Sequence, residues 1–260
     1  MAPLLERYLG CQCVVPADLD TDQLGTFSGE IPRRFSPIEA ARRKCRMALS
    51  EIGGDLCIAS EGSFGSHPSL PFQAANEELV LLVDSRNGFE VSASKVSFQT
   101  NFNGQAIVSL EELQSFAEKA LFPSHGLIIR KNPKSDAGIV KGINTWPALQ
   151  IAFESTMNTW GQVYVETDMR AMHNPLRMET IRAATIKLIH KLQNSCAVCG
   201  APGFGVVRQA AGLPCSVCSQ PTKSVMASTY GCQLCHFEEH KLFPQDKPSE
   251  GPAYCDYCNP

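Results

Sequence analysis

Ser195-Cys196-Ala197-Val198-Cys199-Gly200, Pro214-Cys215-Ser216-Val217-Cys218-Ser219, Gly231-Cys232-Gln233-Leu234-Cys235-His236 and Tyr254-Cys255-Asp256-Tyr257-Cys258-Asn259 repeat one pattern, two cysteines separated by two residues. Two thiolates at that spacing wrap one tetrahedral ion while amides of the turn hydrogen-bond the sulfurs, so two such pairs make a closed four-cysteine site. Four pairs imply two zinc ions, with Cys196, Cys199, Cys215, Cys218, Cys232, Cys235, Cys255 and Cys258 as ligands. Closed coordination leaves no position for a substrate, so both ions are expected to be structural. Loop length favours pairing the first motif with the second and the third with the fourth; interleaved pairing is the alternative. Disulfides need an oxidising compartment, and iron–sulfur clusters use tighter cysteine spacing, so both rank behind zinc. His236 and His240 lie nearby, but eight thiols already complete two sites, and both read as surface residues.

Those eight thiols belong to the last 65 of 260 residues, whereas the rest of the chain carries only four of its 12 cysteines. The composition therefore divides the chain into a globular domain over residues 1–194 and a zinc-binding domain over 195–260. A short segment with few large apolar residues needs such a metal staple to fold. With 43% hydrophobic and 19% charged residues the chain can build a core, which excludes disorder as its main state. The longest aliphatic run, Leu79 to Val83, is far short of the roughly 20 residues of a membrane helix. Met1 to Val15 has Glu6 and Arg7 inside its apolar patch, so no signal-peptide core is expected and a cytoplasmic location is.

The net charge is −3, and neither part holds the excess of cations that drives non-specific phosphate binding. Nucleic acid is therefore not favoured as a partner. Arg33, Arg34, Arg42, Arg43, Lys44 and Arg46 form a local basic run opposed by Glu39, which suits an anionic small molecule. Oligomeric state is not encoded in these features.

Before residue 195 short apolar strands alternate with amphipathic helices. Cys11 to Val15 reads as a first strand, and Asp18 to Arg34 as a loop. Ser36, Pro37 and Glu39 form a capping box for a helix whose apolar face is Ile38, Ala41, Cys45, Ala48, Leu49 and Ile52. Leu56 to Ala59 is a buried strand, and Glu78–Asp84 with Phe89–Ser94 form a hairpin turned by Asn87-Gly88. Ser109 with Glu112 caps a further helix. Gly126–Arg130 is a strand, 146–160 a helix and Gln162–Asp168 a strand. Asn174-Pro175 supplies the N-cap and first residue of the last helix. This alternation predicts an α/β fold, a mixed sheet flanked by helices, with the small cysteine-rich domain appended.

Two stretches carry polar chemistry where a strand leaves the sheet: Ala59 to Pro68 and Glu166 to Met178. In open α/β sheets ligands bind at that edge. Glu61, Glu166 and Asp168 offer carboxylates for Mg²⁺, one of them orienting water, and Arg170 would stabilise developing charge. Gly62 and Ser63 would cradle an anion through backbone amides, as would the helix start at Asn174. His67, Lys141 and Arg177 complete the expected substrate-binding set. Each has a plainer reading: loops after strands are often only loops, Asn174-Pro175 is explained by helix capping, and the basic run can be a wet helix face. His125 and the cysteines at 11, 13, 45 and 57 read as structural.

Several stretches together, namely Leu24 to Glu30, Ala59 to Pro68, Thr100-Asn101-Phe102, Phe122 to Ile128, Lys141-Gly142-Ile143, Glu166 to Met178, and Pro202 to Gly205 through Gly212 to Cys215, resemble an uncharacterised prokaryotic family catalogued as a domain of unknown function. The likeness spans nearly the whole chain and implies no activity. Met172 stands where that pattern has a histidine, which His173 then follows; Ser66 and Ser219 replace a proline and a glycine. A fainter likeness, in the order of the first helix, Ile58 to Gly62 and the hairpin, is to the inosine-triphosphate-pyrophosphatase type of fold. It implies Mg²⁺-dependent hydrolysis of nucleotides. The expectation is therefore a metal-assisted hydrolase or transferase for a phosphorylated, nucleotide-like small molecule; the alternative is a nucleic-acid-binding or protein-interaction module built on a zinc ribbon.

Overall fold

A computed structural model describes residues 1–27, 29–67 and 70–260. Ser28 and Pro68, quoted above, lie outside the described residues. The chain divides into two compact units, one formed by 1–83 and 92–188, the other by 84–91 and 189–260.

The first unit opens with α1 (Ala2–Leu9), which Gly10 terminates in the left-handed conformation at φ 64°. Residues 11–15, expected as a strand, are irregular. The helix α2 (Pro37–Ile52) has the expected capping box at Ser36 and Glu39. It packs Ala41 and Cys45 against Ala59 and Leu81 of a three-stranded sheet, β1 (Leu56–His67), β2 (Leu70–Asp84) and β3 (Phe89–Ser97). The stretch after Ala59, expected as a loop, thus continues the strand. Period-2 alternation then assigns its side chains: Ala59 and Glu61 face α2, while Gly62 faces the other way.

The second sheet of this unit comprises β4 (Gly104–Ile107), β5 (Leu127–Arg130), β6 (Val140–Ile143) and β7 (Val163–Thr167), in the order β4-β7-β5-β6. All its pairings are antiparallel. One face buries Ile107, Leu127, Ile129, Val163 and Val165 under α3 (Leu110–Lys119) and α4 (Trp146–Trp160). Residues between these along the strands, Ile128, Arg130, Tyr164 and Glu166, consequently point to the opposite face. The edge rule for open parallel sheets does not apply to this antiparallel sheet, whose second face points away from α3 and α4. Helix α5 (Pro175–Gln193) follows β7 through a single 3₁₀ turn, Ala171–His173.

In the other unit, β8 (Gly205–Ala211), β9 (Val225–Gly231) and β10 (Glu238–Leu242) form an antiparallel meander in the order β10-β9-β8. In the segment 84–91 the turn 85–88 joins β2 to β3, and Asp84 accepts hydrogen bonds from the amide and side-chain nitrogens of Asn87, both at 2.8 Å. Gly88 alone takes the positive φ, 72°, because this turn is longer than the two-residue turn expected from Asn87-Gly88.

Candidate functional site

Four cysteine turns punctuate the strands of the meander. In each, the residue after the second cysteine returns its amide to the carbonyl of the first: Gly200 to Cys196 at 2.9 Å, Ser219 to Cys215 at 2.9 Å, His236 to Cys232 at 3.1 Å and Asn259 to Cys255 at 2.9 Å. Ser219 and His236 adopt φ 59° to do so, a conformation that Gly200 reaches without strain. Amides within the turns bind the first sulfur, as Val198 does to Cys196 at 3.4 Å and Val217 to Cys215 at 3.5 Å.

The sulfurs gather as Cys196, Cys199, Cys232 and Cys235 in one group and Cys215, Cys218, Cys255 and Cys258 in another, those of each group within 4.8 Å of one another. The pairing is interleaved, which corrects the expected sequential one. The reason is topological. Gly205 of β8 lies opposite Gly231 of β9, which brings the turn before β8 beside the turn after β9. The chain crosses the sheet between consecutive turns, so neighbours in sequence lie at opposite ends of a seven-residue strand, about 20 Å apart. Loop length, the basis of the sequential expectation, ignores this traverse.

The donor geometry fits a tetrahedral ion. A zinc–sulfur bond of about 2.3 Å requires sulfurs about 3.8 Å apart. The separations are 3.7 Å for Cys196–Cys235, 3.6 Å for Cys199–Cys232, 3.9 Å for Cys215–Cys258 and 3.6 Å for Cys218–Cys255. A disulfide needs about 2.05 Å, and all eight thiols are free. Backbone amides of Cys218 and Val217 hold the Cys215 thiol down to about 7, so a thiolate is available near neutral pH. The neighbouring thiol of Cys218 pushes Cys258 up to about 12, because four sulfurs crowd negative charge that a cation would neutralise. His236 and His240 are exposed, and the His240 ring bonds Thr229 Oγ1 at 3.0 Å.

In the first unit Glu61, Glu78, Asp168 and Glu166 are buried or half-buried, and each meets a cation. Glu61 receives Lys44 Nζ at 2.6 Å and Arg33 Nη2 at 3.3 Å. Glu78 receives Arg177 Nε at 2.7 Å and Nη2 at 3.4 Å. Asp168 receives Arg170 Nη2 at 2.6 Å, the Arg170 amide at 3.1 Å and the Gly142 amide at 3.1 Å. Glu166 receives Arg130 Nη2 at 2.6 Å. Much of the basic run is thereby accounted for: Arg33 and Lys44 neutralise Glu61, and the Arg43 guanidinium covers the Phe35 ring at 3.9 Å.

Arg177 is the joint between the two polar stretches. Its Nη1 donates to the Met169 carbonyl at 2.6 Å while its Nε binds Glu78 on β2. Arg33 reaches the same place by donating to the Gly62 carbonyl at 2.8 Å. Phe27 lies between the two guanidiniums, 4.5 Å from that of Arg33 and 4.4 Å from that of Arg177. The two stretches are therefore neighbours, but Glu61 and Asp168 close on different cations. Among the described residues the carboxylates of Glu61, Glu166 and Asp168 form no group of three with ligand atoms within 4.8 Å. Burial pushes the Glu78 and Glu166 carboxyls up against the pull of Arg177 and Arg130, and the Asp168 bond pushes Arg170 up.

Two expected anion cradles are filled or absent. Gly62 and Ser63 lie in β1, so no loop amides are turned outward there. At the start of α5 the Arg177 amide donates to Asn174 Oδ1 at 3.0 Å and the Leu176 amide to His125 Nε2 at 3.3 Å. Asn174 also donates its side-chain nitrogen to Asn101 Oδ1 at 2.8 Å. Lys141 forms an ion pair with Glu30 at 2.7 Å. Ser63 and His67 line a shallow recess with Glu77 and Val96, where His67 packs edge-on to Phe98.

The second face of the four-stranded sheet walls a cavity of about 400 Å³. Phe27, Phe72, Phe102 and Tyr164 line it with Glu166 and Met169. Phe72 is fully exposed at 103% of its reference area, and the Glu166 side chain remains 24% exposed. Of these, only Glu166 is legible as a site residue in the sequence. Glu78 and Arg130 carry a weak signal, charged residues adjoining apolar strands, and the rings carry none.

A family profile described as Domain of unknown function (DUF6671) matches residues 44–260. The chain belongs to this family. No curated protein and no solved structure matches the chain. The likeness to the inosine-triphosphate-pyrophosphatase type of fold consequently has no support. Among the described residues, no helix of this DUF6671 protein is long and apolar enough to cross a membrane.

Proposed function

We propose that the first unit binds a phosphorylated, nucleotide-like small molecule and hydrolyses it with metal assistance, and that the cysteine unit holds two structural zinc ions. The observation that carries the binding reading is the ring-lined cavity bearing Glu166, whose lining residue Met169 is bound through its carbonyl by Arg177. A concave, largely apolar site with a few convergent polar groups and shifted carboxyls is the usual form of a small-molecule site, and its volume lies in the ordinary range of about 300–1,000 Å³. A planar ring system would occupy the aromatic walls. Arg170 and Lys141, 31% and 28% exposed, are the cations that phosphate oxygens would draw from their present carboxylate partners.

Mg²⁺ binds through one or two carboxylates together with phosphate oxygens, so it would enter with the ligand rather than wait on a preformed triad. Asp168, which Arg170 and the Gly142 amide beside Lys141 now bind, would hold it once phosphate draws Arg170 away; the ion would polarise the phosphoryl group. Glu61 and Glu78, closed on their own cations, fix β1 and β2 instead of reacting. The test is calorimetric titration of zinc-loaded protein with nucleoside mono- and triphosphates in Mg²⁺, followed by assays of phosphate release. Binding with release supports the reading; no heat with any nucleotide removes it, and binding without release removes the hydrolytic half.

A second reading, a protein-interaction module, is favoured by one regularity. The third residue of every cysteine turn is large and exposed: Val198 66%, Val217 70%, Leu234 45% and Tyr257 68%. Serine at all four positions should leave metal content intact while abolishing capture of partners by cross-linking. Equal capture by parent and variant rejects this reading.

A further inference from the structure

The cavity lining combines rings and one carboxylate with Ser66, Asn103 and Thr167, and holds none of the basic residues that phosphate would need. Asn103 Oδ1 is taken by the Gly104 amide at 2.8 Å and the Thr167 hydroxyl by the Asn103 carbonyl at 3.3 Å. Such a lining suits a planar group that offers hydrogen-bond donors. Tyr164 and Glu166 alternate along β7 with the buried core residues Val163, Val165 and Thr167, so both stand on a rigid strand rather than a loop. Phe102 stacks on Phe64 at 5.9 Å, which fixes the angle of that wall, and Phe72 is left fully exposed at the rim.

Glu166 is held in position by Arg130, which is 3% exposed. That bond engages Oε1, but a carboxylate offers about four lone-pair directions, so acceptor capacity remains. With Arg130 already balancing its charge, Glu166 is better matched to neutral N–H donors than to a second cation. A guanine-type base presents two adjacent N–H donors on one edge, whereas an adenine-type base presents an acceptor nitrogen there, which a carboxylate repels.

We infer that this cavity is the base pocket of the nucleotide site, and that Glu166 is a specificity-determining residue selecting a base with two adjacent N–H donors, of the guanine type. The inference rests on the nucleotide reading above. Its geometry assigns the aromatic rings to stacking, which every base satisfies, and gives discrimination to the carboxylate, the one charged group in the lining.

Calorimetric titration of the full zinc-loaded chain with guanosine 5′-monophosphate, adenosine 5′-monophosphate and choline tests it. The guanine nucleotide should bind about tenfold or more tightly than the adenine nucleotide, since a site built for N–H donors penalises an analogue lacking them. Glu166→Gln should erase that preference, and Phe102→Ala should weaken both nucleotides alike. Equal affinity for the two nucleotides in the parent protein overturns the assignment of Glu166 while leaving the nucleotide reading in place. Tighter binding of choline than of either nucleotide identifies an aromatic cage for cations and overturns the base pocket. Failure of every nucleotide to bind removes the reading beneath it. The parent preference needs no variant, so a misfolded Glu166→Gln protein does not spoil the test.

Discussion

Replacing Gly62 with alanine sets two effects against each other. In a strand interior alanine is the better residue by about 0.5–1 kcal/mol, because glycine loses more backbone freedom on folding. Here, however, a Cβ would stand 2.8 Å from one Glu78 carboxylate oxygen, 2.9 Å from the other and 2.9 Å from an Arg177 guanidinium nitrogen. Neither side chain is a solvated end that can swing away: Glu78 is 0% and Arg177 5% exposed. Arg177 is further pinned by the Met169 carbonyl. Forcing a core apart costs about 1–3 kcal/mol, and breaking a buried ion pair about 3–5 kcal/mol. The clash should therefore outweigh the propensity gain, and Gly62→Ala should destabilise by about 2–3 kcal/mol. The assay is urea denaturation followed by tryptophan fluorescence, because the chain's two tryptophans, Trp146 and Trp160, both bound α4 in the first unit. Gly54→Ala, whose Cβ would meet Leu49 at an ordinary 3.9 Å, serves as control and should shift stability by less than about 0.5 kcal/mol. In a Glu78→Ala, Arg177→Ala background the penalty of Gly62→Ala should disappear, as a coupling between touching residues must. A Gly62→Ala protein as stable as its parent would refute the account of why this strand carries a glycine.

Other consequences are directly measurable. Native mass spectrometry should find two zinc ions per chain; Cys215→Ser together with Cys255→Ser should lose one of them and leave the ion held by Cys196, Cys199, Cys232 and Cys235, whereas loss of both rejects the interleaved pairing. Hydrogen bonds from Lys247, Ser224 Oγ at 2.7 Å and the Gly251 amide at 2.8 Å hold Glu250 down to about 2 from its ordinary 4.5. A depressed carboxyl stabilises the fold above its unfolded value and loses that contribution as pH falls from about 4.5 to about 2. The metal-loaded Glu250→Gln protein should show a flatter acid limb in that window, and an unchanged limb counts against the network. Asn174→Ala removes the α5 N-cap and the bond to Asn101, and should cost about 1–2 kcal/mol by the same fluorescence assay; a loss below about 0.3 kcal/mol would mean that His125 and its neighbours cap the helix unaided.

Local signals were legible wherever one residue type answers one backbone need. Ser36 with Glu39 and Ser109 with Glu112 begin helices as expected, and Asn174 caps α5. The eight cysteines declare two metal centres. What the chain does not write down locally is which segments become partners. The pairing of the cysteine turns depends on strand traverse, and the length of β1 depends on its pairing with β2, so Ser60 to Ser66 looks like a loop until the sheet exists. Cys11 to Val15 alternates like a strand yet finds no strand to pair with among the described residues, and stays irregular.

The acids of the candidate site were legible as residues but not as roles. Arg33, Lys44 and Arg177 are separated from Glu61 and Glu78 by long stretches of sequence, and only folding shows that these cations are committed to them. The strand's alternation, which sends Glu61 toward α2 and Gly62 toward Arg177, explains why one polar stretch serves two different clusters.

Interleaved cysteine turns also impose an order on synthesis. During translation the first centre can close once Cys235 has emerged, with the 215–218 turn already threaded within its span but unable to bind on its own. The second centre must wait for the turn at Cys255 and Cys258. A ribosome that stalls between those two moments would therefore hold out a chain with one sealed end and one open pair of thiols, a species that a quality-control protease or a stray metal would meet before any native partner does.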